Sequence, residues 1–166
     1  MAELAPRYQH TQPATTIRVC LLATVLAAVV MAAVLPVPEE DVTTHRLVCM
    51  AVAASMAMLT DLFWSLTVTI TGHRLAWHFG PGLIRKSVPL DEVASAAPTR
   101  TTFWAGWGIH WTPRGWVYNV SGFGAVEVRL KSGKGFCLGT DEPDALAEAI
   151  RAAAGLLPNP PQEPHS

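Results

Sequence analysis

The chain has 166 residues, of which 50% are hydrophobic, and its formal net charge is −1. Its mean hydropathy of +0.27 is high for a soluble chain of this length, and the excess lies in residues 19–37 and 47–70. There is no basic run and no acidic tail, which argues against a nucleic-acid partner. The three cysteines, Cys20, Cys49 and Cys137, have neither metal-ligand spacing nor the even number of a disulfide framework.

The first predicted element is a flexible cytoplasmic segment, residues 1–16, and a transmembrane hairpin over residues 17–64 follows it. Two apolar runs, at about residues 18–37 and 46–64, form this hairpin. At ~1.5 Å per residue, a helix of ~20 residues matches the ~30 Å hydrocarbon core of a bilayer. Trp64 is placed to act as an interfacial anchor at the end of the second run. A cleaved signal peptide is the alternative for the first run.

Flanking charges predict the orientation of the hairpin. Arg7 and Arg18 precede the first run, whereas the connecting residues 36–46 contain three acidic residues and one arginine. The positive-inside rule therefore places both termini in the cytoplasm, in a multi-pass protein of the cytoplasmic membrane. Asp61 is an acidic residue next to a membrane segment, and such residues are functional candidates. The alternative is that Asp61 reaches headgroups or water from the last helical turn.

Alanine pairs indicate how the two helices of the hairpin could pack. Small residues four positions apart let helix backbones approach each other closely within a membrane. Such pairs are Ala23/Ala27, Ala28/Ala32 and Ala53/Ala57. The alternative is that they only reflect the alanine-rich composition of membrane helices.

Residues 65–154 are predicted to form a β-rich domain. In the first strand Leu66, Val68 and Ile70 alternate with threonines, which is the period of a half-buried strand. Glycine-rich turns separate these short strands. The predicted strands cover residues 65–71, 74–79, 83–88, 91–97, 116–120, 125–130 and 135–138, whereas residues 99–115 are irregular. Short strands at this spacing favour an antiparallel sheet.

One amphipathic helix closes the domain. Thr140 or Asp141 can cap its N-terminus, Pro143 fits the first turn, and Gly155 ends it. Residues 155–166 contain four prolines and are predicted to be a disordered tail. The order is therefore many strands followed by a single C-terminal helix.

Two stretches carry a resemblance to a known family. They are residues 65–93, which contain VPLDEV at 88–93, and residues 136–150, which contain GTDEP at 139–143. Behind a two-helix anchor, they resemble the bacterial pleckstrin-homology-like (PH-like) domain proteins, which are small and membrane-anchored. The resemblance implies an α+β membrane protein with a bent, seven-stranded antiparallel β-barrel or sandwich and a C-terminal capping helix. It carries over no catalytic residue, and a fold alone does not supply a function.

The most unusual feature of the domain is a stretch rich in aromatic residues. Phe103, Trp104, Trp107 and Trp111 are predicted to form an exposed surface that enters the membrane interface or docks a partner. The alternative is that some of them fill the core of a small barrel. Arg100 and Arg114 would support either use, and Arg74, Arg85 and Lys86 on the first strands belong to the same candidate surface. They are too few to select a phosphoinositide headgroup, although each cation near an anionic leaflet contributes ~1 kcal/mol.

The sequence contains no recognisable catalytic, cofactor-binding or metal-binding motif. His78 or His110 beside Asp91 would be the weak candidate for a general base. We therefore expect a non-enzymatic PH-like module that binds or scaffolds at the cytoplasmic face of the membrane. Its expected partners are the lipid bilayer and either another membrane protein or a second copy of the chain. The alternative is an accessory subunit of a membrane enzyme or of a transport complex.

Overall fold

The computed structural model describes residues 7–34, 36, 38–39, 41–101, 107–113 and 115–156. Within them the chain forms three α-helices: α1 (Thr15–Val34), α2 (Val42–Leu62) and α3 (Pro143–Ala154). Nine strands accompany the helices: β1 (Tyr8–Pro13), β2 (Ser65–Ile70), β3 (Arg74–Phe79), β4 (Ile84–Pro89), β5 (Val93–Arg100), β6 (Gly108–Thr112), β7 (Gly115–Asn119), β8 (Gly124–Leu130) and β9 (Gly135–Gly139). A 3₁₀ turn, Leu90–Glu92, joins β4 to β5. Most of the predicted tail, residues 157–166, lies outside the described residues.

The helices α1 and α2 form a hairpin with an apolar outer surface. Each helix is long and apolar enough to cross a membrane, as judged by length and composition. Ala28 and Cys49 are buried in the seam between the helices, whereas Leu26 and Val34 are two-thirds exposed. Most of the apolar surface of the hairpin is therefore not covered by the protein itself.

The seam between α1 and α2 uses one of the predicted alanine pairs. Ala28 is buried and Ala32 is half-buried, so this pair lies where the two helices meet. Ala23, Ala27 and Ala57 are exposed, which leaves the other two pairs incomplete as packing motifs. The small residues at the seam let the backbones approach, whereas Ala23, Ala27 and Ala57 face outwards and Ala53 is half-buried.

The N-terminal segment contains a strand over Tyr8–Pro13, so this part of the predicted flexible segment 1–16 is ordered, whereas residues 1–6 lie outside the described residues. β1 pairs antiparallel with β2 in continuous register, from Tyr8 opposite Ile70 to Pro13 opposite Ser65. Nearly every side chain of β2 is buried, so an open edge there would expose unpaired backbone beside an apolar core. β1 covers that edge, and Tyr8 packs against the core.

The strands form two sheets that pack face to face. Their orders are β1-β2-β3-β4 and β5-β8-β9-β7-β6. All pairings are antiparallel except that of β7 with β9, which is parallel. In the core, Trp77 of the first sheet stacks on Phe136 of the second at 4.8 Å and meets Tyr118 edge-on at 5.2 Å. Among the described residues the sheets do not close into one hydrogen-bonded barrel, and β1 and β6 raise the strand number above the predicted seven.

Of the nine strands in the described part of the chain, three contain a proline, and each of these three lies at the edge of a sheet. Pro13, Pro89 and Pro98 belong to β1, β4 and β5, which are edge strands in the two sheets. Proline has no backbone N–H to donate, so an edge position with one open side is where a strand tolerates it. This is why β5 continues through Pro98 to Arg100, beyond the predicted end at residue 97.

The helix α3 closes the core as predicted, but its start differs in detail. Leu146, Ala147 and Ile150 are buried against the core, and α3 packs on β5 and β8. The N-cap residue is Glu142 rather than Thr140 or Asp141. The Thr140 hydroxyl accepts a hydrogen bond from the Glu142 N–H at 3.1 Å, whereas the Asp141 carboxylate contacts His10 at 2.6 Å. Gly155 ends the helix with a φ of 67°.

Candidate functional site

Both helices of the hairpin leave the β domain from adjacent positions of one sheet. Ala14 is the one residue between β1 and α1, and two residues lie between α2 and β2. The Ala14 N–H donates to the Trp64 carbonyl at 3.0 Å, which continues the β1–β2 ladder up to the start of α1. The hairpin is therefore an insertion between two paired strands, without a flexible linker. We call this end of the β domain the base and the opposite end the distal end.

Side-chain contacts hold the ends of α1 and α2 that adjoin the β domain, which we call the roots of the helices, against the base. The guanidinium carbon of Arg18 lies 3.5 Å from the centroid of the Trp64 ring. Phe63 meets Phe79 edge-on at 5.3 Å, and Ile17 packs against the core of the β domain. Aromatic and cation–π contacts of this kind have defined geometry, so the domain is held in one orientation relative to the hairpin.

The β3–β4 turn, residues 80–83, also lies at the base. The Gly80 N–H donates to the Ser65 carbonyl at 2.9 Å. A Cβ atom at Gly80 would lie 2.6 Å from the backbone oxygen of Asp61 and 2.7 Å from that of Leu62. The turn thus rests directly on the last turn of α2, and only glycine allows that approach.

The β7–β8 turn, residues 120–123, rests on the root of the other helix. The Ser121 and Thr16 hydroxyl oxygens are 3.1 Å apart, and the Gln12 side-chain amide donates to the Ser121 carbonyl at 3.0 Å. Asn119, which is fully buried, shapes the turn by accepting from the Ser121 N–H and donating to the Gly122 carbonyl. The two turns therefore flank the hairpin on different sides.

Large apolar side chains are exposed at the base. Leu83 is 80% exposed, Trp64 47% and Phe123 37%. Trp107 joins them, since its indole N–H donates to the Gly122 carbonyl and its ring lies 6.4 Å from that of Phe123. Leu83 and Phe123 were not predicted as site residues, although each is a large apolar residue in a glycine-rich turn, where a core partner is not expected.

The predicted aromatic surface is divided between the two ends of the domain. Trp107 lies at the base, whereas Trp111 lies at the distal end, opposite Trp116 in the β6–β7 register. Trp111 is 67% exposed and Trp116 49% exposed. Phe103, Trp104 and Arg114 lie outside the described residues. The distal pair and the base cluster are therefore two separate aromatic features.

The predicted basic residues are likewise spread along the domain. Arg85 folds back over the β3–β4 turn and donates from Nε to the Gly82 carbonyl at 2.8 Å. Arg100 ends β5 at the base, Lys86 is exposed on edge strand β4, and Arg74 lies at the distal end. Arg74 donates to the Ser87 hydroxyl at 2.7 Å. They form no single cationic patch.

Asp61 lies in the last turn of α2, at the level of the base. Its side chain is exposed, and its backbone oxygen abuts Gly80. The exposed carboxylate is close to the end of the helix, where headgroups or water would solvate it if the hairpin spans a membrane. This position fits the alternative that the sequence left open for Asp61.

The two histidines considered as general bases lie in different sheets. His78 is on β3 and His110 on β6, and Asp91 is exposed in the 3₁₀ turn, beside His73 and Arg74 in an open groove of about 520 Å³. Burial lowers the pKa of His110, and its Nε2 atom is buried without a hydrogen-bond partner. In the described part of the chain, no group of three or more His, Cys, Asp or Glu side chains could hold a metal ion.

Polar side-chain contacts join β1 to the start of α3. His10 Nε2 lies 2.6 Å from Asp141 Oδ1, and His10 Nδ1 lies 3.5 Å from Glu142 Oε2. Burial raises the pKa of Tyr8, and the charges of Glu142 and Asp141 raise it further. The contact between His10 and Asp141 was not predicted, because the two residues are 131 positions apart in the sequence.

Comparison with known proteins assigns the chain to no family. No protein-family model matches the sequence, and no curated protein matches it. What the molecule does must therefore be inferred from its own geometry.

Proposed function

We propose that this chain is a membrane-tethered binding module. In this proposal α1 and α2 span the membrane, and the β domain, which has a PH-like architecture, is held on the cytoplasmic face. Its distal end then binds a protein partner. The observation that carries the proposal is the pairing of β1 with β2 across the roots of the hairpin, from Tyr8–Ile70 to Pro13–Ser65.

The exposed apolar surface of the hairpin supports insertion into lipid. Leu22, Leu26 and Val34 of α1 and Leu47 and Met58 of α2 are all more than half exposed. Apolar surface left in water costs about 25 cal/mol per Å², and a bilayer removes that cost while the helical backbone satisfies its own hydrogen bonds.

Strand pairing supports a hairpin that crosses the membrane twice. β1 and β2 are hydrogen-bonded to each other, so the chain must enter and leave the membrane on the same side. Cleavage of the first run as a signal peptide would remove β1 and expose the edge of β2, which argues against that alternative. Arg7 and Arg18 flank the first membrane segment on its N-terminal side, whereas Glu39 and Asp41 lie in the connection between α1 and α2, and this distribution favours the cytoplasmic side for the β domain.

The PH-like assignment is supported by the arrangement of layers. Two packed sheets and one C-terminal helix that seals the core are what the resemblance implies. In this proposal β1 and β6 are additions to that plan, and β1 is the addition that ties the domain to the hairpin.

The distal tryptophan pair is the proposed partner site. Trp111 and Trp116 lie opposite each other next to the β6–β7 turn and expose most of one indole and half of the other. Tryptophan is enriched among the residues that contribute most to protein interfaces, and an exposed pair on rigid strands is pre-organised for binding. The expected partner is a protein of the same membrane or a second copy of this chain.

Photo-crosslinking in native membranes tests the partner site. A photoreactive phenylalanine analogue at position 111 should give a discrete crosslinked species, whereas the same analogue at Ser132, in the neighbouring β8–β9 turn, should not. Mass spectrometry then distinguishes a second copy from another protein. Equal crosslinking at positions 111 and 132, or none at position 111, would count against the proposal.

Membrane extraction tests the anchor. The full-length chain should stay in the membrane fraction after alkaline carbonate treatment. A thiol reagent that does not cross membranes should label a Ser132→Cys variant only after the cells are opened, since the β domain is proposed to be cytoplasmic. Recovery of the chain in the soluble fraction, or labelling of position 132 in intact cells, would overturn the corresponding part of the proposal.

A further inference from the structure

We infer that the base of the β domain is itself a membrane-contacting surface. Leu83, Trp64 and Phe123 enter the interfacial layer of the same leaflet that α1 and α2 cross. This inference rests on the proposed function, because it requires that the hairpin spans the membrane. It adds that the domain is seated on the lipid, and is not only tethered above it.

Leu83 is the first element of this surface. It is the most exposed of the large apolar side chains of the described residues, and it follows a turn that rests on the last turn of α2. The Gly80 N–H is hydrogen-bonded to the Ser65 carbonyl, and Gly80 lies directly against the backbone oxygens of Asp61 and Leu62, so the turn is held at the end of the helix. The leucine is therefore held at the level where the transmembrane helix leaves the hydrocarbon.

The second element of this surface consists of Phe123 and Trp107, which lie on the side of the base next to α1. The β7–β8 turn that carries Phe123 is joined to the root of α1 by a hydrogen bond between the hydroxyl groups of Ser121 and Thr16. The described flanks of the β5–β6 connection meet the same turn, since the Thr101 N–H donates to the Phe123 carbonyl at 2.8 Å. Phe123 is thus presented at the base by a turn that is fixed from two sides.

Trp64 lies in the two-residue connection between α2 and β2, and its carbonyl accepts from the Ala14 N–H beside the start of α1. Its ring carries the Arg18 guanidinium on one face and remains about half exposed. Tryptophan and arginine both combine an apolar body with a polar tip, which suits the boundary between headgroups and acyl chains. The pair therefore extends the apolar rim from Leu83 towards Phe123.

The charges of the base do not favour one lipid headgroup. Arg18, Arg85 and Arg100 lie at this end, but so does the exposed Asp61, and Asp141 and Glu142 contact His10. Apolar insertion therefore supplies the contact, and the arginines meet the phosphate that zwitterionic and anionic lipids share. A bilayer is the occupant because the base is continuous with the hairpin, so lipid surrounds it wherever the hairpin is inserted.

Site-directed fluorescence in nanodiscs tests the inference. Full-length chains with Cys20, Cys49 and Cys137 replaced would carry a single environment-sensitive label. The labelled variants are Leu83→Cys and Phe123→Cys at the base, Leu26→Cys in the middle of α1, and Ser132→Cys at the distal end. Spin-labelled lipids with the quencher close to the headgroup report contact of each label with the interface.

The labels at positions 83 and 123 should show blue-shifted emission and strong quenching, in phosphatidylcholine alone and equally when phosphatidylglycerol is added. The label at position 132 should show neither. If position 26 is quenched by lipids with a deep quencher but positions 83 and 123 behave like position 132, the inference is wrong and the anchor stands. If position 26 is not quenched, the proposed anchor is wrong and the inference is overturned with it. Quenching at positions 83 and 123 that requires phosphatidylglycerol would contradict the apolar basis of the contact.

Discussion

The guanidinium of Arg18 lies over the ring of Trp64, 3.5 Å from its centroid. This contact joins the first turn of α1 to the residue that precedes β2, and it lies beside the Ala14–Trp64 backbone hydrogen bond. Because it connects the roots of the two helices with each other and with the first sheet, movement of the hairpin relative to the β domain would break it. The contact is therefore a sensitive point at which to measure how firmly the two parts are joined.

Substitution Arg18→Ala should lower the free energy of unfolding of the full-length chain by about 1 kcal/mol, which is the size of a partly exposed cation–π contact. Arg18→Lys should retain part of the effect. The matched control is Arg46→Ala, which removes an exposed arginine from the far end of the hairpin. Thermal unfolding in detergent, followed by near-ultraviolet circular dichroism, measures the difference, and equal losses in Arg18→Ala and Arg46→Ala would contradict the prediction.

Substitution Gly80→Ala should destabilise the base more than a positive φ alone explains. The residue has a φ of +42°, and the new Cβ would meet two backbone oxygens of α2 at 2.6 and 2.7 Å. Gly133→Ala is the control, because Gly133 has a φ of +81° and open space around it. In the control the free energy of unfolding should fall by about 1 kcal/mol. In Gly80→Ala it should fall clearly more, because backbone strain costs about 1–3 kcal/mol and the steric clash with α2 adds to it. Chemical denaturation in micelles compares them, and similar midpoints would argue against the tight contact of the turn with α2.

Proline substitutions in β1 should distinguish residues whose backbone N–H is hydrogen-bonded to β2 from residues whose N–H points away from it. The Ala14 N–H donates a hydrogen bond to the Trp64 carbonyl. Because the N–H groups of alternate residues point to the same side in an antiparallel ladder, the N–H of His10 points towards β2 and that of Gln9 points away. His10→Pro should therefore destabilise the domain, whereas Gln9→Pro should be tolerated, as the native Pro13 is.

His10→Ala separates the backbone effect from the loss of the His10–Asp141 contact, which is partly exposed and should cost at most about 1 kcal/mol. Limited proteolysis of the N-terminal segment reports the outcome. Protection of β1 in His10→Pro as complete as in Gln9→Pro would show that the β1–β2 ladder does not hold the segment.

The strands at residues 65–70 and 74–79 could be predicted from the sequence almost to the residue. Their apolar side chains alternate strictly because they pack into the core from one face of each strand, although in β2 the other face is largely buried too and the strand is not half-buried as predicted. β1 could not be found in this way, since YQHTQP contains a single large apolar side chain and its strand conformation depends on pairing with β2. β6 was missed because its burial does not alternate.

The candidate site was less predictable than the fold. Trp64 was recognised because its place at the end of an apolar run is a local property of the sequence. Leu83 and Phe123 lie in turns, and their importance arises from where the turns rest on α1 and α2. Trp107 and Trp111 are four residues apart, yet the direction of β6 carries them to opposite ends of the domain. Only the tertiary arrangement separates the two aromatic features.

The partly buried imidazole of His110 should make stability depend on pH. Burial lowers its pKa in the folded chain below the value of about 6.5 that it has when unfolded. Above that unfolded pKa both states are neutral at this residue. As the pH falls below it, the unfolded chain binds a proton that the folded chain excludes, so the free energy of unfolding decreases until the folded pKa is passed.

His110→Leu should remove this part of the pH dependence, and it also removes the buried Nε2 atom that has no hydrogen-bond partner. The variant should therefore gain stability relative to the native chain as the pH is lowered through the unfolded pKa. His73→Gln, which changes an exposed histidine, should leave the native profile in place. Denaturant titrations of the three chains over this pH range measure the difference. If the stability gap between His110→Leu and the native chain is the same at acidic and at neutral pH, His110 is not the titrating group.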